Sequence, residues 1–304
     1  MKKKIGVLMG GISSERDVSL LSAKGMIVHL DKTKFEVIPI EINKKEDVFK
    51  KCVGIDFALI GLHGEFGEDG CVQSILSAMD IPYSGCGPLA SALAMDKDIS
   101  KKIFRYAGIR TADWLIVKHS TLNIDYDAVA KLGYPVFVKP NSGGSSVATT
   151  LVKQPGDLAG AVAQALAHDN EVMIEEYIKG DEISTPVIDG VVYPTMAIKP
   201  QGEFFDITAK YASYEEGGAS EFVLELPPGL KEEVEEMLLK TWHELKLKSY
   251  ARIDMLIRDG VPYVLEVNTL PGMTPTSLVP RSFASLGFTY TDLLTKMIEV
   301  SLPK

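Results

Sequence analysis

The 304-residue chain is 46% hydrophobic and 24% charged, the balance of a soluble globular protein with room for two or three domains. Its net charge of −9 argues against a non-specific role on nucleic acid or an anionic membrane, and its three cysteines, odd in number and without metal-ligand spacing, read as free thiols in a reducing compartment. No stretch approaches the roughly 20 apolar residues of a spanning helix, and the apolar run after Met1-Lys2-Lys3-Lys4 is too short for a secretory signal, so a cytoplasmic protein is expected.

Ile5 to Met9 reads as a buried strand that feeds through Gly10-Gly11-Ile12-Ser13-Ser14-Glu15-Arg16 into a helix from near Asp17 to Leu30. A strand at Phe35 to Glu41, a polar segment, a strand at Phe57 to Gly61, a helix after Asp69 and a short strand at Ile81-Pro82-Tyr83 follow. This alternation predicts a parallel sheet flanked by helices, with ligands at the carboxyl ends of its strands. Two polar loops fall there, one carrying Glu15 and one, Leu62 to Gly70, carrying His63. Taken alone, Glu15 reads more simply as a helix-start acid favoured by the dipole, and His63 as a hydrogen-bonded loop histidine.

Ser84-Gly85-Cys86-Gly87-Pro88 marks a first boundary. Beyond it the pattern predicts one helix from Leu89 to about Ala107, then strands at Trp114 to Val117 and Pro135 to Lys139. The second strand runs into Pro140-Asn141-Ser142-Gly143-Gly144-Ser145-Ser146, whose exposed amides and hydroxyls suit a loop around phosphate oxygens, with Lys139 beside it. It does not match the Walker pattern, and a flexible linker is the alternative. An Ala-rich helix from Gly156 to His168 leads to a strand at Val172 to Ile178. From Ile183 the pattern turns antiparallel, with Asp189-Gly190 as a hairpin turn before Val191 to Lys199. The domains expected are therefore 1–88, 89–178 and 179–304. Gln201 to Ser220, with Lys210 and Tyr211, has the polarity and length of a lid. Helices are expected at Leu230 to Leu245 and Ser285 to Leu302.

Between those helices, two apolar alternating runs flank Asp259-Gly260 and predict a β-hairpin. A three-residue loop, Asp259 to Val261, places Asp254 opposite Glu266 and Arg252 opposite Asn268 on one face. Directly opposed carboxylates repel. A hard divalent cation held by Asp254, Glu266 and the Asn268 carbonyl would remove the conflict; a solvated face with Arg252 balancing the acids is the plainer alternative.

Several of these runs, in their order and spacing, resemble the D-alanine–D-alanine ligases of the ATP-grasp superfamily over essentially the whole chain. They are Gly10 to Arg16 with Val18-Ser19-Leu20, His63-Gly64 to Gly70 with Gln73, Met95-Asp96-Lys97, Val138-Lys139-Pro140, Gly144-Ser145-Ser146-Val147, Arg252-Ile253-Asp254, Glu266-Val267-Asn268-Thr269, and Pro271-Gly272-Met273-Thr274 to Ser277-Leu278. The resemblance implies a mixed α/β and α+β fold of three domains, in which an N-terminal parallel-sheet α/β domain precedes the two ATP-grasp halves. It implies ligation of two D-alanines through a D-alanyl phosphate, supplying peptidoglycan precursor for the cell wall, by a homodimer that takes D-alanine and ATP and binds neither nucleic acid nor membrane.

Carried onto this chain, the resemblance implies that Lys97, Lys139, Gly144, Ser145 and Ser146 hold ATP phosphates. It implies that Glu175 and the backbone of Glu176 and Ile178 face adenine, that Glu182 meets the ribose, and that Asp254, Glu266 and Asn268 bind two Mg²⁺ ions, which Mn²⁺ would replace. Glu15, with His63 nearby, is expected to pair with the first D-alanine, and Ser277 with the Leu278 amide to hold the second carboxylate. Arg252 and the Gly272 amide are expected to stabilise the oxyanion, and Lys210 to assist the transferring phosphoryl group. Tyr211 would close over the site through Ser145 toward Glu15, and as Tyr rather than His it points to a dipeptide product. The rival readings are a D-alanine–D-lactate ligase, another ATP-grasp carboxylate–amine ligase, and a non-catalytic nucleotide-binding module. The chain departs from the family pattern at Ala23 and Ala148, where glycine is expected.

Overall fold

The computed structural model describes residues 2–121, 123–144, 146–199 and 219–303. Its first sheet follows from a strand buried on both faces. Ile5, Val7 and Leu8 are wholly buried in β1 (Lys3–Gly10), which lies between β2 (Phe35–Ile42) and β3 (Phe57–Ile60), all parallel. α1 (Arg16–His29) and α3 (Cys71–Ala78) occupy the predicted helical segments. The polar segment holds a short α2 (Asp47–Lys51). Ile81 to Tyr83 contributes a single bridge, Ala58 to Tyr83, rather than a strand.

The helix expected from Leu89 to Ala107 is two: α4 (Pro88–Met95) and α5 (Lys97–Tyr106). Asp96 between them is extended, and its carboxylate accepts from the Ile99 amide, so the residue caps a new helix instead of continuing the old one. The second sheet has the order β4 (Trp114–Lys118), β7 (Glu171–Glu176), β5 (Val136–Pro140), β6 (Thr150–Val152), and every neighbour is antiparallel. Antiparallel pairing thus begins well before Ile183. The three-residue β6, too short to register as a pattern, reverses the chain before α7 (Leu158–Leu166), so β7 returns against β5. α6 (Tyr126–Leu132) joins α7 on one face of this sheet, around Val129, Val136, Val138, Leu158 and Ile174.

The third sheet runs β11 (Ser220–Val223), β10 (Met196–Lys199), β8 (Asp181–Ile188), β12 (Tyr250–Arg258), β13 (Val261–Asn268), with β9 (Val191–Val192) on β8. α8 (Pro228–Glu244) covers it, packing Val234, Leu238 and Trp242 with Phe104 of α5 against Ile253 and Met255. The closing helix expected from Ser285 is preceded by α9 (Leu278–Ala284) and begins only at α10 (Tyr290–Ser301). Gly287, at φ +86°, lies between them, and a reciprocal Thr289–Asp292 capping box starts the second. α9 lies between the first and third sheets: Val279 and Phe283 share the core of Ile5 and Leu59, while Leu278 packs on Met196 and Ile198 and Ser282 Oγ donates to the Pro194 carbonyl at 2.6 Å. α10 adds Leu294 and Met297 to the first sheet's core.

The β12–β13 hairpin has the predicted pairing at its polar end but reaches it differently. Asp259 and Gly260, at φ +53° and +78°, form a two-residue turn that pairs Arg258 with Val261, and the register shifts by one between Asp254 and Met255. Leu265 is the bulged residue. The bulge lets Val264 and Val267 both face the core opposite Met255 and Ile253, which strict alternation forbids, while Glu266 still meets Asp254.

Candidate active site

Asp254, Arg252, Glu266 and Asn268 share one face of the hairpin. Asp254 is 5% exposed and accepts from Ser184 Oγ of β8 at 2.5 Å, from Arg252 Nε and Nη2 at 2.9 and 2.7 Å, and from Asn268 Nδ2 at 2.9 Å. Glu266 lies 3.6 Å from Lys97 Nζ. Each opposed acid therefore has its own fixed cation, and repulsion between them is not by itself a reason for a metal. Burial works against the Arg252 charge, but Asp254 and Glu266 beside it hold the guanidinium above its ordinary value. Glu182 stands two residues before Ser184 on β8, opposite Leu256, and so on the same sheet face as Asp254.

α5 carries Lys97 to this face because Asp96 and Asn141 fix where it starts. Asn141, 1% exposed, accepts the Asp98 amide on Oδ1 and donates from Nδ2 to Asp96, both at 2.9 Å. Lys97 Nζ then donates to the Gly143 carbonyl in the loop after β5. Lys139, the residue preceding Pro140 at the end of β5, forms a 2.6 Å ion pair with Glu175 Oε2; Lys101, one turn beyond Lys97, pairs with Oε1 at 2.6 Å. Burial alone would raise the Glu175 carboxyl, but the two ammonium groups hold it below the usual range. Glu176 pairs with Arg258 at 2.8 Å and its amide donates to the Asp113 carbonyl; Ile178 is buried.

The first sheet contributes its loops as predicted. Arg16 pins the β1–α1 loop by donating to the Gly11 and Ile42 carbonyls at 2.9 and 3.0 Å. Glu15 Oε1 lies where a Cβ on Gly144 would come within 2.9 Å and one on Gly64 within 3.1 Å, so both glycines permit its approach. His63, 5% exposed, is held by Ser22 Oγ at Nε2 (3.1 Å) and by Glu68 at Nδ1 (3.3 Å). One cleft is lined by Glu68, Lys97, Gly143, Gly144, Glu266 and Asn268, residues from all three sheet regions. Gly272, Thr274 and Ser277 cluster beside it in sequence. Ser277 Oγ meets the Thr274 amide and hydroxyl at 3.1 and 2.8 Å instead of capping α9, and Leu278 is buried. Ser145, Lys210 and Tyr211, with residues 201–218 of the expected lid, lie outside the described residues, while Ser220 begins β11.

Family models match both parts of the chain: the D-ala D-ala ligase N-terminus over residues 4–54 and 43–86, and the D-ala D-ala ligase C-terminus over residues 103–299. The chain belongs to the D-alanine–D-alanine ligase family. D-alanine–D-alanine ligases of Clostridium perfringens (strain SM101 / Type A) and Clostridium botulinum (strain Langeland / NCTC 10281 / Type F) are each 57% identical to it over 299 residues, 98% of this chain and 98% of the relative. A Bacillus anthracis D-alanine–D-alanine ligase structure complexed with ATP matches with a TM-score of 0.89 at 45% identity, over 98% of this chain and 97% of that one. The VanG D-Ala:D-Ser ligase from Enterococcus faecalis matches at 0.84 and 29%, over 99% and 100%.

Four side chains in this D-alanine–D-alanine ligase family member had no role assigned from sequence: Ser184, Asn141, Glu68 and Lys101. Ser184 was readable as the next same-face residue after Glu182, and Lys101 as the residue four after Lys97. Asn141 and Glu68 gave no signal beyond their place in polar loops. Among the described residues no three His, Cys, Asp or Glu side chains are placed to hold a metal. Two carboxylates and an amide nevertheless make an oxygen set that fits a hard cation, once the Asn268 amide turns its Oδ1 inward.

Proposed function

We propose that this chain joins two D-alanines into D-alanyl-D-alanine at the expense of ATP, through a D-alanyl phosphate, as a cytoplasmic homodimer serving cell-wall synthesis. The observation that carries this reading is the cleft in which Glu68, Lys97, Gly143-Gly144 and Glu266-Asn268 converge, cationic and anionic groups side by side where phosphates and an amino-acid carboxylate must meet. A carboxylate becomes electrophilic only when an oxygen carries phosphate, so the protein's task is positioning and charge stabilisation. Lys97 and Lys139 neutralise nucleotide phosphates, with the Gly144 to Ser146 amides around them. Glu175, Glu176, Ile178 and Glu182 border the nucleoside. Glu15 orients the first ammonium beside His63; Ser277 and the Leu278 amide hold the second carboxylate. Arg252 and the Gly272 amide meet the oxyanion. Asp254, Glu266 and Asn268 would hold Mg²⁺, which supplies further neutralisation of phosphate charge. The division at residues 88 and 178 separates the three sheets along the chain, while α5 packs into the core of the third and α9 and α10 into that of the first.

The test is phosphate release from ATP with Mg²⁺ and either D-alanine or L-alanine, with D-lactate and D-serine as alternative acceptors. Release dependent on D-alanine alone, with the dipeptide as product, is expected. Preference for L-alanine, or no release with either enantiomer, rejects the substrate assignment.

A further inference from the structure

The Lys101 side chain is 1% exposed; its ammonium donates to Thr111 Oγ1 at 2.7 Å and to the Ala112 carbonyl at 3.3 Å, and forms an ion pair with Glu175 Oε1 at 2.6 Å. Thr111 Oγ1 in turn donates to the Val264 carbonyl of β13 at 2.8 Å. Glu175, 2% exposed, is thus shared by two lysines, one on each oxygen. The trio carries one surplus positive charge, and Lys139, with 11% of its side chain exposed against 1% for Lys101, is the member facing outward. An isolated Lys139–Glu175 pair would be electrically closed, because drawing Lys139 away would strand an uncompensated buried carboxylate.

We propose that Lys101 is a positioning residue: by holding Glu175 on its own, it frees the Lys139 charge to turn toward the phosphates of a bound nucleotide. Burial and the neighbouring Lys139 pull the Lys101 ammonium below its ordinary value, while Glu175 opposes them. Lys101 therefore serves Glu175 and never meets the nucleotide. The proposal rests on the nucleotide reading of the cleft.

The test is calorimetric titration of the full chain, without D-alanine, using ATP, ADP and adenosine. The variants are Lys101→Met, Glu175→Gln and the double variant, each checked for an unchanged circular dichroism spectrum. In Lys101→Met the remaining pair locks. ATP and ADP affinity is expected to fall at least tenfold, while adenosine affinity stays within about twofold, a split that general loosening of the fold would not give. In the Glu175→Gln background there is no carboxylate left to hold, so adding Lys101→Met is expected to change ATP affinity by less than threefold. Equal losses for ATP and adenosine, unchanged ATP affinity in Lys101→Met, or a full further loss in the double variant would each overturn the proposal. A wild-type chain that binds no ATP would instead overturn the reading of the cleft. Should Lys101→Met fail to fold, the same titrations on Lys101→Gln decide the matter by the same criteria.

Discussion

At the residue scale, Glu266 and Ala148 separate what chemistry needs from what the backbone tolerates. Glu266 is one of the two opposed acids, is 24% exposed in its side chain, and has Lys97 3.6 Å away. Glu266→Gln keeps the shape and removes the charge, so the fold should survive with an unchanged melting curve while kcat falls roughly 100-fold or more. Normal turnover would remove Glu266 from the site. Ala148 sits at φ +52°, a left-handed conformation that glycine adopts freely and alanine does not. Sequence comparison with the family pattern flagged this position for glycine, and the dihedral supplies the reason. Ala148→Gly is predicted to stabilise the chain by about 1 kcal/mol in urea unfolding, the reverse of its usual effect. A destabilisation of that size would mean the neighbouring loop does not hold the strain.

At the element scale, the break between α4 and α5 is the feature that aims Lys97, and it was legible only in retrospect. Met95-Asp96-Lys97 was singled out by resemblance, yet the apolar pattern runs on through it, because capping is a competition between one carboxylate and one backbone bond that periodicity does not see. The hairpin shows the converse. Asp254 and Glu266 were placed opposite each other correctly from a loop one residue too long, since the extra residue resides in the bulge at Leu265 rather than in the turn. Sheet sense in the middle of the chain was hidden because the reversal depends on three residues, Thr150 to Val152. What could be read were long periodic runs and chemically distinctive loops; what could not were short reversals and contacts made across them, such as Asn141 on Asp96. Asp96→Ala removes a cap, worth about 1 kcal/mol, and leaves the buried Asn141 amide only its long 3.5 Å contact to Glu171, for a total of about 2 kcal/mol. It should also raise the KM for ATP, as Lys97 loses its fixed origin, while Asp96→Asn, which keeps an acceptor oxygen, should recover most of the stability. If Asp96→Ala unfolds at the wild-type urea concentration, the cap is not what divides the helices.

At the scale of the whole molecule, the chain's end closes its beginning. α10 places Leu293, Leu294, Met297 and Ile298, none more than 1% exposed, in the core that contains Ile5, Leu8 and Leu59. At about 2 kcal/mol for each buried side chain, an upper estimate, the helix contributes roughly 8 kcal/mol, comparable with the entire net stability of a typical domain. The three-stranded first sheet therefore depends on residues some 290 positions later in the chain, and the loop holding Gly272 and Ser277 is stretched between the two layers. Tyr290 fastens that loop by donating from its hydroxyl to the Met273 carbonyl. A cavity at Met297 should loosen the first sheet selectively. Met297→Ala is expected to cost 2–5 kcal/mol, by an order-of-magnitude rule for buried truncations. Its signature should be regional: amide hydrogen exchange should quicken in β1, β3 and α1, which share the core with Met297, and remain slow in β5 and β7, whose core is separate. Exchange that quickens equally in both sheets would show that the two cores melt as one unit, and the β1–α1 loop would then have no independent freedom to open against the second sheet.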